Sequence, residues 1–389
     1  MRDAVIVEAV RTPIGKGKPN GALAHVHPVE LLAHTLRTLV ERSGVDPASI
    51  DDVIGGTVTQ VGEQSLNITR QAVLSAGFPD AVPATTVDRQ CGSSQQAVHF
   101  AAQGVLAGAY DIVVACGVES MGRVPMGSAV LPGTDPFGPG VARRYPEGLV
   151  PQGISAELIA AKWSMSRAAL DDFALSSHRK AAAAWDAGLF DAETAPAEGL
   201  VRDECIRPTS TPEVLAGLKP AYYDPGYAER FPQIEWNITA GNASPVNDGA
   251  SAVLIMSGDT AARLGLRPLA RLHSFAVTGS DPLLFLFNVT PATEKVLHRA
   301  GLTLADIDLF EVNEAFSSVV LAWQQELGAD PAKVNVHGGA IAIGHPLGAS
   351  GTRLTTTLAH AMRARGARYG LQTMCEAGGL ANAMILESV

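Results

Sequence analysis

Apolar positions along the chain fall into two alternating rhythms. Short runs (Val5 to Val7, Val53-Ile54, Ile112 to Ala115, Leu309-Phe310 and Leu371 to Met374, the last with Gln372 and Thr373 inside it) read as buried strands. Between them Leu31, Leu32, Thr35, Leu36 and Leu39, and later Thr293, Val296, Leu297 and Ala300, recur at helical spacing. Both rhythms occur twice. Ser43-Gly44-Val45 with Ala48-Ser49-Ile50-Asp51 returns as Ala300-Gly301-Leu302 with Ala305-Asp306-Ile307-Asp308, an offset of 257 residues. Each copy continues through a second helix (Ile68 to Ala76; Ala315 to Leu327), a short extended segment (Thr85 to Val87; Lys333 to Val336), a third helix and a strand. This alternation predicts an α/β chain of two pseudo-symmetric halves, each a mostly parallel sheet covered by helices.

The segment between the halves, from about Glu119 to Asn237, follows neither rhythm. It is Gly/Pro-rich (Leu131-Pro132-Gly133, Asp135 to Gly140), then helical (Ser155 to Trp163, Ala168 to Trp185), then turn-rich (Arg207-Pro208, Tyr222 to Gly226). A structureless loop of that length is improbable within a domain, so it is expected to be an insertion serving as a lid or a subunit contact.

Composition narrows the class. The chain has 389 residues, of which 47% are apolar and 17% charged, with 39 glycines. It is too long for one core, and disordered, collagen-like and coiled-coil classes are excluded. A net charge of -10 without any Lys/Arg block leaves no electrostatic footprint for nucleic acid or an anionic membrane. No apolar stretch reaches the roughly 18 residues of a membrane span, and the strand-like run directly after Arg2-Asp3 leaves no room for a leader peptide, so a cytoplasmic protein is expected. Cys91, Cys116, Cys205 and Cys375 lie far apart without CxxC spacing, so neither a disulfide framework nor a metal site is indicated.

The candidate chemistry sits at matched places in the two halves. Cys91 precedes Gly92-Ser93-Ser94, where either serine could cap a helix whose dipole would lower the thiol pKa. In the second half the Gly-rich run Gly338 to Gly351 carries His345 to the start of the helix holding Leu354 and Leu358. If the pseudo-twofold joins these helix ends, Cys91 and His345 form a nucleophile and base pair. Asn313-Glu314-Ala315-Phe316 follows a strand at its carboxyl end, where α/β sheets place their sites, and Cys375 is expected on a tight turn before Ala377-Gly378-Gly379. Singly, each has a plainer explanation: Cys91 and Cys375 as small buried residues like Cys116 and Cys205, His345 as a turn residue, Asn313 as a helix cap. The Gly-rich run lacks the Walker ending and the dinucleotide-binding context of a phosphate loop. Joint occurrence at matched positions favours a catalytic site.

Read together, Cys91-Gly92-Ser93-Ser94, Asn313-Glu314-Ala315-Phe316, Gly344-His345-Pro346-Leu347-Gly348-Ala349-Ser350-Gly351 and Cys375 before its glycines resemble the thiolase family, that is, acetyl-CoA acetyltransferases and 3-ketoacyl-CoA thiolases. The resemblance covers essentially the whole chain and extends to Glu8 to Gly15, Gly117 to Met121, Thr239 to Ser244 and Asn247 to Ala250. It implies a five-layer αβαβα fold of two βαβαβαββ repeats with an inserted loop domain. The N-terminal half would span 1–118 plus 238–268, the loop domain 119–237 and the C-terminal half 269–389. It further implies a homodimer or homotetramer acting on acyl-CoA, with coenzyme A as co-substrate and no permanently bound cofactor. By resemblance, Cys91 is the acyl-accepting nucleophile, His345 its base and Cys375 the acid/base at the α-carbon. Asn313 would hold a water that binds one thioester oxygen with His345, and the amides of Cys91 and Ala377 would form a second oxyanion hole. Ser244 would touch the pantetheine arm, Lys219 would lie near the adenine nucleotide and Arg207 would face the phosphates.

Several positions depart from the family pattern. Ser94 replaces the usual glycine of Cys-x-Ser-Gly, Pro245 stands where glycine is common, and Ala377 and Ala381 replace two glycines. Pro151 to Glu157 lacks the His-Met-Gly of short-chain members, and Phe285 to Pro291 replaces their Gly-Pro-Ile-Pro. These changes point to a degradative enzyme for a medium, long or bulky acyl chain. Two other expectations compete: an acetoacetyl-CoA thiolase condensing short chains, and a catalytically silent CoA-binding module. A decarboxylating ketoacyl synthase would carry a histidine in place of Cys375, and a papain-type or glutaminase-type hydrolase would lack the paired repeat.

Overall fold

The computed structural model describes residues 2–389. The first apolar run becomes β1 (Val5–Arg11), followed by the short β2 (Gly15–Lys16). Helix α1 (Pro28–Ser43) opens with proline, is capped by the His27 ring and ends at Gly44 in the left-handed conformation. The first half continues with β3 (Asp52–Gly56), α2 (Ile68–Ser75), β4 (Ala84–Val87), α3 (Ser93–Ala107) and β5 (Ile112–Ser120). The intervening segment carries α4 (Gly138–Arg144), α5 (Gln152–Lys162), α6 (Arg167–Asp186), α7 (Pro212–Ala216) and α8 (Pro225–Arg230). It returns through β6 (Asn247–Met256) and α9 (Gly258–Arg263). The second half comprises β7 (Ala270–Gly279), α10 (Val289–Ala300), β8 (Leu309–Val312), α11 (Ser317–Leu327), α12 (Ser350–Arg365), β9 (Tyr369–Glu376) and β10 (Leu380–Glu387). The offset of 257 survives folding: β3 and β8 start at 52 and 309, and α3 and α12 at 93 and 350.

The strands run in the order β4-β3-β5-β6-β1-β7-β10-β9-β8, a near-palindrome about the β1–β7 junction. Only Val5 with Arg271 and Ile6 with Ala270 pair across that junction. Helices α1 and α2 cover the first half of the sheet, α10 lies on the second with α11 beside it, and α3 and α12 fill the space between, giving five αβαβα layers. The halves are not mostly parallel as expected. Parallel pairing is confined to β3 with β4, β3 with β5 and β8 with β9, and every other pair is antiparallel. One reason is visible at β9 and β10, where a three-residue turn can join strands only in the antiparallel sense. The extended segment expected at Lys333 to Val336 makes only isolated bridges, Phe310 with Val334 and Val336 with Gly338.

Two features position the site. The central helices touch at their N-terminal ends, where a Cβ on Gly351 would lie 2.0 Å from the backbone nitrogen of Gln95, and Ser94 Oγ accepts from Thr352 N at 3.0 Å. The intervening segment is fastened to β1 by buried Arg11, whose guanidinium holds Glu193 at 2.5 Å and Asp203 at 2.8 and 3.1 Å. No helix among the described residues is long and apolar enough to cross a membrane.

Candidate active site

The chain enters α3 through a sharp turn in which Gln90 takes a positive φ of 50°, unusual for a residue with a side chain. Neither serine caps the helix as expected. Ser93 Oγ accepts from Arg89 N and donates to Gln90 O, stitching the turn, while Ser94 reaches across to α12. Cys91 is buried in this turn and clusters with Met121, Leu347, Leu354 and Met374. Leu347 lies two residues after His345 and Met374 directly before Cys375. Three distant segments therefore meet around one thiol.

His345 does not open a helix. It sits in a turn ahead of the 3₁₀ turn Leu347–Ala349, and α12 begins only at Ser350. The expectation fails because Pro346 keeps the residue before it out of helical geometry. Three side chains from other elements pin this Gly-rich run. Glu314 accepts from Ile341 N at 3.1 Å, Asn247 Oδ1 from His345 N at 2.8 Å, and Glu119 from Gly348 N at 2.8 Å. Gly344 has a φ of 122°, and a Cβ there would strike Ile14 and Asn247 at 2.6 and 2.8 Å.

The imidazole is oriented by Ser350. Ser350 Oγ donates its one proton to Pro346 O at 2.8 Å, so at 2.6 Å from His345 Nδ1 it must accept from Nδ1–H. That assignment makes Nε2 the acceptor of a long, 3.5 Å hydrogen bond from Asn313 Nδ2, while buried Asn313 Oδ1 has no partner. Burial, with the Arg353 guanidinium adding to it, pushes the imidazole down to about 3. The imidazole is neutral throughout the physiological range.

The thiols behave opposite to expectation. Burial, with Glu376, Glu119 and Asp88 adding negative charge, pushes the Cys91 thiol up to about 12. The helix dipole expected to lower it is outweighed, because the site is dry and carries nearby carboxyl groups. Cys375 lies within β9, paired with Ala381, rather than on a turn. Its alternation with polar Thr373 and Gln372 continues the strand two residues beyond the apolar run. Burial, the neighbouring Cys91 and Glu376 push its thiol well above the usual range. Ala377 begins the turn that follows, which places Gly378 and Gly379 at positive φ.

The expected coenzyme contacts lie together on one side. Ser244 N donates to Ala315 O at 3.0 Å, so its loop is sewn to the Asn313 motif. Ala243 and Pro245 line a narrow cleft of about 170 Å³ with Arg207, Leu218 and Ile341. Exposed Lys219 lies just beyond Leu218. Cys205 also lines the cleft, and Cys116 is buried in β5, away from these groups. Glu119, Asn247, Ser350 and Glu376 were not legible as site residues, although Glu119 and Glu376 stand 257 residues apart, the offset of the repeat.

The family profiles described as the thiolase N-terminal and C-terminal domains match residues 4–259 and 266–388. The steroid 3-ketoacyl-CoA thiolase FadA6 of Mycobacterium tuberculosis is 46% identical over 398 residues, covering 100% of this chain and 94% of that protein. A 3-ketoacyl-CoA thiolase of Erwinia tasmaniensis is 44% identical, with 100% of both chains covered. The crystal structure of the Bacillus anthracis acetyl-CoA acetyltransferase superposes with a TM-score of 0.88 at 37% identity, covering 100% of this chain and 99% of that one.

Proposed function

The chain belongs to the thiolase family, and from that premise we propose that Cys91, His345, Cys375, Asn313 and the amide of Ala377 carry out CoA-dependent cleavage of a 3-ketoacyl-CoA. The observation that carries this reading is the fixed tautomer of His345, with Nδ1–H on Ser350 and the lone pair on Nε2, held only by a long contact from Asn313. Both thiols rest protonated, so each needs a partner that moves its proton during the reaction.

In the first step Cys91 Sγ attacks the 3-keto carbon while its proton passes to His345 Nε2. The developing oxyanion is received by the amides of Cys91 and Ala377, donors of a type that contributes roughly 10²–10³ in rate each. Collapse breaks the bond between C2 and C3 and leaves its electron pair on C2 as the enolate of acetyl-CoA. His345, now a donor at Nε2, holds the enolate oxygen with a water on Asn313. Cys375 gives its proton to C2, releasing acetyl-CoA. The resulting Cys375 thiolate takes the proton of an incoming CoA thiol, whose sulfur attacks the acyl group on Cys91. Shortened acyl-CoA leaves, and the Cys91 thiolate recovers its proton from His345.

We place the pantetheine arm along Ser244 and the nucleotide towards Arg207 and Lys219, on the cleft side of the molecule. CoA is a substrate here rather than a resident cofactor. For the acyl group we favour a degradative role with a medium, long or bulky chain. A groove of about 360 Å³ between α5 and the segment before Phe285 is lined by Leu158, Lys162, Phe231, Leu283 and Leu284. Asp281 lines the groove and lies with Ser280 and Pro282 against Gly379, so the groove begins beside the turn between β9 and β10. A FadA6-like relative named for steroid 3-ketoacyl-CoA agrees with that choice. We divide the chain into halves 1–118 plus 238–268 and 269–389 with a loop domain at 119–237. The expected assembly is a homodimer or homotetramer, supported by open edge strand β4 and exposed Leu131 and Phe137. Four free, buried cysteines suit a reducing cytoplasm.

The test follows CoA-dependent thiolysis of acetoacetyl-CoA, 3-ketodecanoyl-CoA and a steroid-side-chain 3-ketoacyl-CoA, alongside Cys91→Ala and Cys375→Ala. Preference for a long or bulky substrate, with both variants inactive, is expected. Preference for acetoacetyl-CoA would overturn the chain-length assignment, and activity surviving in Cys91→Ala would overturn the mechanism.

A further inference from the structure

One buried carboxyl group has no part in the steps above. Glu376 ends β9, and by strand alternation its side chain shares a face with Met374, which packs on Cys91. Its carboxyl lies against the backbone of Gly92, the residue after the nucleophile: a Cβ at Gly92 would fall 1.8 Å from Glu376 Oε1. Asn382, on the same face of β10, has its amide 2.9 Å from Oε1; turned so that both its ends find partners, it donates its nitrogen to Oε1 and accepts from Gln96 N at 3.3 Å. Oε2 is buried without a hydrogen-bond partner. A carboxyl group so placed contributes no fold stability that an apolar residue would not, and a buried, half-satisfied acid is costly. Its place beside a nucleophile suggests a different use.

We propose that Glu376 is a positioning residue for the thiolase reaction, whose buried carboxyl governs how readily Cys91 gives up its proton. The proposal rests on Cys91 being the nucleophile. Uncharged, Glu376 is a neutral wall beside the thiol; ionised, it opposes a second negative charge at Cys91. Burial holds Glu376 well above the ordinary carboxylate range. The other groups facing this place are Asp88 and Arg89 from the turn before α3, Glu119 from β5 and Cys375 from β9. Arg89 favours the ionised form of Glu376 and Asp88 disfavours it. Glu376 is the carboxyl that contributes most to holding the Cys91 thiol up, ahead of Glu119 and Asp88. Gly92 fits because any side chain there would displace the carboxyl.

The test is the pH dependence of Cys91 alkylation by iodoacetamide in the intact enzyme, read by peptide mass spectrometry. Glu376→Gln, which keeps shape and removes charge, is expected to move the midpoint down by about one pH unit or more. Asn382→Asp, which sets a second carboxyl on Oε1, is expected to move it up. A structural role alone would lower the melting temperature and leave both midpoints at the wild-type value, and that result overturns the proposal. Trapping of an acyl group on Cys91 after mixing wild-type enzyme with acetyl-CoA separates the two failures. Acyl-Cys91 with unmoved midpoints sinks only the role of Glu376, whereas no acyl-Cys91 sinks the nucleophile assignment on which it rests.

Discussion

His345 carries its lone pair on Nε2 because of Ser350. A serine hydroxyl has one proton, and here that proton is committed to Pro346 O, so the imidazole must present N–H to the serine and a lone pair to the site. Ser350→Ala removes the constraint without touching any reacting atom. Its kcat is expected to fall about 10- to 100-fold with KM changed little, as for loss of a group that orients a ligand or base. Steady-state thiolysis checks this, and an unchanged kcat would mean that the tautomer is fixed by something else. Asn313→Ala should cost more, about 10²–10³ in kcat, because it removes a donor used only while charge develops. At this scale the sequence was partly legible. The candidate residues stood out by their pairing across the repeat, but Glu119, Asn247 and Glu314 did not, since each acts on a loop 27 to 229 residues away and leaves no local pattern. The thiol pKa was misjudged for the same reason: proximity to a helix end is local, whereas burial and the carboxyl of Glu376 come from the other half.

Among the elements, α3 and α12 decide whether the site exists. Their approach depends on Gly351, where an added methyl would meet the backbone of Gln95, which cannot swing aside as a side chain could. Gly351→Ala is expected to destabilise by about 1–3 kcal/mol through overpacking and to lower thiolysis more than stability, because it separates the Cys91 and His345 turns. Thermal unfolding and activity measured on the same sample test this; a stable, fully active variant would contradict the helix contact. The element boundaries were legible wherever a glycine in the left-handed conformation or a capping side chain stops a helix, as at Gly44 and Gly301. Strand direction was not. Nothing in the composition of β6 or β10 reveals that they return antiparallel, and alternation hid the last residues of β9, so Cys375 was expected on a turn.

At the scale of the whole molecule, acid sensitivity follows from histidines buried without charge. His99, on α3, stacks on Phe275 of β7 with ring centroids 5.2 Å apart, and its Nε2 has no partner. Burial, with Arg89 adding to it, pushes its pKa down from 6.5 to about 3. A depressed folded-state value means that the stability associated with this group is present above pH 6.5 and is lost as the pH falls towards 3. By linkage it contributes about 2 kcal/mol less at pH 5 than at pH 7. His99→Phe is expected to flatten the fall in melting temperature between pH 7 and 5, and an identical slope in the variant would refute it.

The order of the sheet also bears on how the enzyme is made. Cys91 is laid down among the first hundred residues, but Leu347, Met374 and Glu376, which enclose it, come from the last 43. While the chain is being translated, Cys91 remains an ordinary accessible thiol, and it becomes the hidden, proton-holding group described above only when β9 and β10 emerge and close the palindrome. Synthesis therefore sets a window in which oxidants can reach the residue, and a chain stopped short of Leu347 keeps that window open for its lifetime.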